Sequence, residues 1–174
     1  MKFLLWLTIL TTTTSAQLAP LSSVENVNLQ KYLGKWYEIA SLPQSFQKGC
    51  TATSAFYTKE ANEDIKVLNK CNLGSPSGKE KTAEGRAWVV DTKSNSKLKV
   101  QFFLKRFKMN LFAGDYWILD LDKDYTHVII GEPSRKYLWF LSRTKTMDSS
   151  LYKKLLNKAT KMGFDIKKIV KTVH

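Results

Sequence analysis

From Gly34 to Arg143 the chain repeats one pattern, a short apolar run followed by a polar turn. The runs are Trp36–Leu42, Thr51–Thr58, Ile65–Cys71, Glu84–Val90, Leu98–Phe103, Tyr116–Leu121, His127–Ile130 and Leu138–Arg143. Eight short strands joined by short turns predict an all-β antiparallel meander, either a sandwich or a barrel.

The second and third runs allow a test of register. If Cys50 pairs with Cys71, mirror positions sum to 121 and the turn centres on Glu60 and Ala61, inside a polar stretch suited to a hairpin tip. That register places Ala52, Ser54 and Phe56 on one face, opposite Asn69, Val67 and Ile65. Thr51, Thr53, Ala55, Tyr57, Lys66 and Lys70 fall on the other. Side chains alternate along a strand, so the first face is expected to point inward and the cysteines to form a cross-strand disulfide.

After Arg143 the period becomes helical. Asp148 is a candidate N-cap, Leu151, Leu155, Leu156, Ala159 and Met162 form a stripe, and Gly163 stands where a helix would end. The stripe needs an apolar partner. Leu138 and Phe140 alternate with Tyr137, Trp139 and Leu141, so one face of the last strand can meet the helix and the other the interior.

Lys2 followed by the apolar run Phe3–Leu10, then small polar residues to Ala16, reads as a secretory signal over residues 1–16 with a single domain over 17–174. The run is too short to span a bilayer, and no cysteine follows it to carry a lipid anchor. Two cysteines in an exported chain fit one disulfide. The net charge of +13 is spread along the chain without an arginine-rich arm, zinc-ligand set or RNP-like motif. No nucleic acid is therefore expected as a partner, and the basic surface suits peripheral contact with anionic membrane.

Three motifs then stand in order: Gly34-Lys35-Trp36-Tyr37-Glu38; Gly114-Asp115-Tyr116-Trp117-Ile118-Leu119-Asp120 with Gly131-Glu132-Pro133-Ser134-Arg135; and Tyr137-Leu138-Trp139-Phe140-Leu141-Ser142-Arg143. Together with the terminal helix they resemble the lipocalin family, in particular the bacterial outer-membrane lipocalins, plant temperature-induced lipocalins and apolipoprotein D. The resemblance runs from about Leu29 to Ile169. It implies an eight-stranded antiparallel up-and-down barrel with a C-terminal helix packed outside. It also implies that Trp36 plugs the closed end, that Arg143 lies across its ring, and that Gly34 admits the chain into the first strand. These three are scaffold residues.

Inward parity from Trp36, Phe56 and Arg143 gives Glu38, Ala40, Val67, Tyr137 and Trp139 as interior residues. The resemblance adds Trp88, Val100, Phe102, Tyr116 and Ile118. Aromatic and aliphatic walls with a few hydroxyls suit an apolar body with a polar head. The connection Leu104–Ala113 interleaves Lys105, Arg106 and Lys108 with bulky apolar residues. By resemblance it lies at the open mouth, where it would touch membrane or hold an anionic head group, unless it folds over its own apolar residues.

The two histidines, His127 and His174, stand in no nucleophile–base motif, and no metal-ligand spacing or glycine-rich phosphate loop occurs. The expectation is therefore a carrier without cofactor or catalysis, for a fatty acid or lysophospholipid, linked by resemblance to envelope maintenance. A membrane-docking protein with a structural barrel is the alternative, and an enzyme a weaker one. The lysine bias and the relatives point to the bacterial periplasm or the periplasmic face of the outer membrane, with an extracellular product as the alternative; a homodimer stays open.

Overall fold

The computed structural model describes residues 18–103 and 109–174. The signal segment over 1–16 and the rim bases Lys105, Arg106 and Lys108 lie outside them. The chain enters through a short helix α1 (Leu29–Tyr32). Eight strands follow: β1 (Gly34–Ser41), β2 (Cys50–Lys59), β3 (Ile65–Leu73), β4 (Glu80–Val89), β5 (Lys97–Gln101), β6 (Gly114–Leu121), β7 (His127–Gly131) and β8 (Leu138–Ser142). Helix α2 (Ser149–Lys161) and a two-residue strand β9 (Val170–Lys171) complete the order. Each strand pairs antiparallel with the next, and β1 pairs with both β2 and β8, closing an eight-stranded barrel; β9 adds to β1 at the seam.

Alternation divides the apolar residues between two cores. Inward residues such as Trp36, Val67, Leu98, Ile118, Val128, Ile130 and Leu141 pack inside the barrel with Val27 and Tyr32 from the entering segment. Outward Leu119, Ile129, Leu138 and Phe140 pack against Leu155 and Ala159 of α2. Asp148 caps α2 by accepting from the backbone amides of Ser150 and Leu151, and Gly163 follows its C-terminal end at φ +86°. Lys158 reaches back to Asp120 on β6 at 2.6 Å, tying helix to barrel.

The closed end is as the motifs imply. Trp36 is fully buried and the Arg143 guanidinium sits 3.8 Å from its ring centroid. Such a stack, with the guanidinium partly open to water, contributes about 0.5–2 kcal/mol. Arg143 also donates to the carbonyls of Lys31, Tyr32, Leu33, Lys35 and Tyr125, so one side chain gathers α1, the start of β1 and the β6–β7 turn. Gly34 takes φ +89°, a left-handed conformation that needs no Cβ, to turn α1 into β1.

The disulfide Cys50–Cys71 is present, but the register that suggested it is not. From Ser54↔Lys70 to Lys59↔Ile65 the mirror sum is 124, and between Thr51 and Ser54 the pairing shifts, with Ala52 at φ +48°. The bulge leaves Cys50 opposite Leu73 while still allowing the bridge to Cys71. It also turns β2 over: Ala55 and Tyr57 are inside, and Phe56 is outside and 46% exposed. On β3 the expected face, with Ile65 and Val67, is inward. A second shift in β1, between Glu38 and Ala40, sends Ala40 into the core under α2 rather than into the barrel interior.

The bridge closes a loop with a sequence separation of 21 residues. Replacing both cysteines by serine is expected to lower stability by about 3 kcal/mol, mainly through the unfolded chain. Equilibrium urea unfolding measures it, and an unchanged midpoint contradicts it.

Candidate functional site

The barrel is plugged at one end and hollow toward the other. An internal cavity of about 770 Å³ opens where β1–β2, β3–β4, β5–β6 and β7–β8 are connected. This volume lies within the range of small-molecule sites. Its wall is largely aliphatic and aromatic, with Ile65, Val67, Ala87, Leu98, Val100 and Ile130 on successive strands.

Of the residues singled out from the sequence, Val67, Val100, Phe102, Tyr116, Tyr137 and Trp139 line this cavity, as does Glu38. Three do not. Phe56 is turned outward by the bulge in β2. Trp88 follows Ala87, which faces the cavity, so alternation sends the indole to the opposite face, where it is buried. Ile118 has the right parity but is fully buried in the packed core with Trp36 and does not reach the hollow. Phe102 lies over Gly85, where a Cβ would fall 2.7 Å from the ring, so the glycine makes room for this wall residue.

The floor holds a group the sequence did not disclose. Tyr32 at the end of α1, Tyr57 on β2 and Tyr116 on β6 converge there. The Tyr116 hydroxyl is 2.6 Å from that of Tyr32 and 3.0 Å from that of Tyr57. Burial pushes Tyr57 up to about 12, and raises Tyr32 and Tyr116 well above the ordinary phenol value for the same reason. All three phenols therefore remain protonated across the physiological range. Tyr32 was missed because it precedes the first strand, and Tyr57 because the assumed register put it outside. The pairing of Ala55 with Tyr57 on one face was the available signal.

These shifts set a pH dependence. An unfolded tyrosine releases its proton near 10, whereas Tyr57 holds it until about 12, so the folded chain binds more protons in between. The stabilisation is complete below pH 10 and is lost as pH rises toward 12. Tyr57 alone accounts for about 2–3 kcal/mol. Stability measured across this window should fall steeply, and Tyr57→Phe should flatten the fall; an unaltered slope contradicts the assignment.

A second polar group stands higher on the wall. The buried carboxylate of Glu38 accepts from Ser41 Oγ at 3.1 Å, Gln47 Nε2 at 2.7 Å and Thr172 Oγ1 at 2.6 Å. Gln47 Oε1 in turn accepts from Trp139 Nε1 at 3.2 Å. The network fixes the Trp139 ring, which stacks on Tyr137 with centroids 6.0 Å apart. At the mouth Phe46 faces Tyr137 at 6.0 Å, and Phe103 faces Phe112 at 6.3 Å. Phe103 and Leu111 are 67% and 85% exposed. Lys70 and Lys81 line the upper wall. Both cysteines are in the disulfide, so neither offers a thiol. His127 lies on β7 with its Nδ1 3.0 Å from the Thr126 hydroxyl, which donates to Asp122, and neither residue lines the cavity.

Comparison with known proteins agrees with this architecture. A model of the lipocalin-like domain matches residues 27–174. The chain is 45% identical to temperature-induced lipocalin-1 of Arabidopsis thaliana over 152 residues, covering 86% of this chain and 80% of the relative. It is 34% identical to the outer membrane lipoprotein Blc of Vibrio cholerae, covering 84% and 82%. It is 33% identical to apolipoprotein D of Mus musculus, covering 85% and 77%. Insecticyanin of the tobacco hornworm Manduca sexta shares the fold, with a TM-score of 0.67 at 19% identity over 91% of this chain and 86% of that one. Among the described residues no helix is long and apolar enough to cross a membrane. With its plugged barrel, open cup and outer helix, the chain belongs to the lipocalin family of small-hydrophobic-ligand binders.

Proposed function

We propose that the cup takes up a single-chain amphiphile, a fatty acid or lysophospholipid, and stores or carries it without chemical change. The observation that carries this reading is the hollow itself, apolar around its wall and open at one end. An acyl chain gains about 0.8 kcal/mol for each methylene it removes from water, while its head group stays near Lys70 and Lys81 at the mouth. Lys105, Arg106 and Lys108 are proposed to add to this basic rim. Exposed Phe46, Phe103 and Leu111 around the same opening favour peripheral contact with an anionic membrane, from which a lipid would enter directly. Export under the segment 1–16, and work at a bacterial envelope or outside the cell, are part of the same reading; the Vibrio cholerae relative is named an outer membrane lipoprotein.

Delipidated protein titrated with lysophospholipid below its micelle concentration tests it. The expected result is stoichiometric binding in the micromolar range or better, about −8 kcal/mol. Turnover of the lipid would mark an enzyme, and binding only to bilayers would mark a docking protein with a structural barrel.

A further inference from the structure

The three phenols on the cavity floor carry three protons, but only two oxygen–oxygen contacts join them, Tyr32 to Tyr116 and Tyr57 to Tyr116. Each contact uses one proton. Whichever way the hydroxyls rotate, one O–H is left over, and among the described residues no carbonyl, carboxylate or other acceptor is hydrogen-bonded to it. All three side chains border the cavity, so the spare donor faces the ligand space. A buried donor without a partner is costly, and a plain methyl terminus resting on the floor would leave it so.

We propose that the cup is built for an amphiphile whose inner end bears an uncharged oxygen acceptor, such as a keto or hydroxyl group on an oxidised acyl chain, held by the floor phenols. The proposal rests on the reading that an amphiphile occupies the cup. The floor favours an acceptor on electrostatic grounds too. Arg143, stacked on Trp36, lies close enough to Tyr32 and Tyr57 to lower the proton affinity of both phenols, which strengthens them as donors. A carboxylate is the wrong partner. The guanidinium is occupied with five backbone carbonyls and separated from the cavity by the indole, so a buried anion would find no direct cation. Because burial holds the phenols protonated, they remain donors at any physiological pH.

The test compares palmitate with an analogue bearing a ketone on the penultimate carbon. In a purely apolar floor the ketone loses water without replacement and binds about 5-fold or more weakly. With the phenol donor the analogue should bind as tightly as palmitate or up to about 10-fold tighter. The infrared carbonyl band of the bound analogue should lie below its position in alkane. An analogue with a second carboxylate at that end should bind more weakly than either.

Tyr116→Phe removes the shared hydroxyl but frees those of Tyr32 and Tyr57, so the preference should survive. Only the triple change Tyr32→Phe, Tyr57→Phe and Tyr116→Phe should abolish it and return the band toward its alkane position. A ketone penalty of 5-fold or more in the wild type overturns the proposal, and that measurement decides even if the triple variant does not fold. A lowered band that persists in a folded triple variant assigns the bond to water and also overturns it. Failure of the wild type to bind either compound overturns the amphiphile reading itself.

Discussion

Trp36→Ala should lower the melting temperature by about 10 °C or more, corresponding to about 3–5 kcal/mol. The indole is fully buried, donates from Nε1 to the carbonyl of Tyr32 at 2.8 Å, and supports the Arg143 guanidinium. Truncation therefore opens a cavity at the plugged end and loosens a clasp at the same time. Arg143→Met keeps much of the apolar contact but takes a donor from the carbonyls at the end of α1, which the guanidinium covers. Its cost should be about 1–2 kcal/mol, because the Tyr32 carbonyl keeps its bond from Trp36 Nε1, the Lys31 carbonyl is open to water, and the part-buried Leu33 carbonyl loses its donor. Calorimetry beside lipid titration separates scaffold from site. A variant that melts like the wild type but loses binding selectively contradicts the scaffold role of the pair.

Val100→Asp should abolish binding while sparing the fold, with affinity falling more than about 100-fold. Val100 lines the cavity on β5, and its strand neighbours Ala87 and Gly114 supply neither a charge nor a side-chain donor. The site is only partly buried, so a carboxylate can stay hydrated in the empty cup. A ligand must strip that water and leave the anion unpaired. Binding should accordingly recover as pH falls and the carboxyl takes up a proton. Wild-type affinity in this variant at neutral pH would show that the lipid never enters the barrel.

The difference between what the chain disclosed and what it concealed has a physical origin. Strands and helix α2 are local patterns, and their period, the Asp148 cap and Gly163 are written in adjacent residues. The Trp36–Arg143 clasp is far apart in sequence, but each partner sits in a motif. Interior parity is another matter. It survives only while a strand keeps its register, and the shift beside Ala52 turned Tyr57 inward and Phe56 outward. The shift after Glu38 did the same to Ala40. Trp88 was placed on the wall by resemblance, without a register for β4, whereas the small Ala87 beside it has the inward position. The phenol cluster depends on three separate elements meeting, which no local window contains.

The double pairing of β1 also sets an order of events. Its contacts with β2 are hairpin-like, but its partner on the other side, β8, lies about a hundred residues downstream, with Tyr37 opposite Ser142. Loop-closure entropy makes that join slow relative to the hairpins between β2 and β8. The hairpins need only near neighbours, but Trp36 has no guanidinium to cover it until Arg143 is in place. The closure of the barrel and the cover over its floor thus depend on one and the same C-terminal segment, β8 with Arg143.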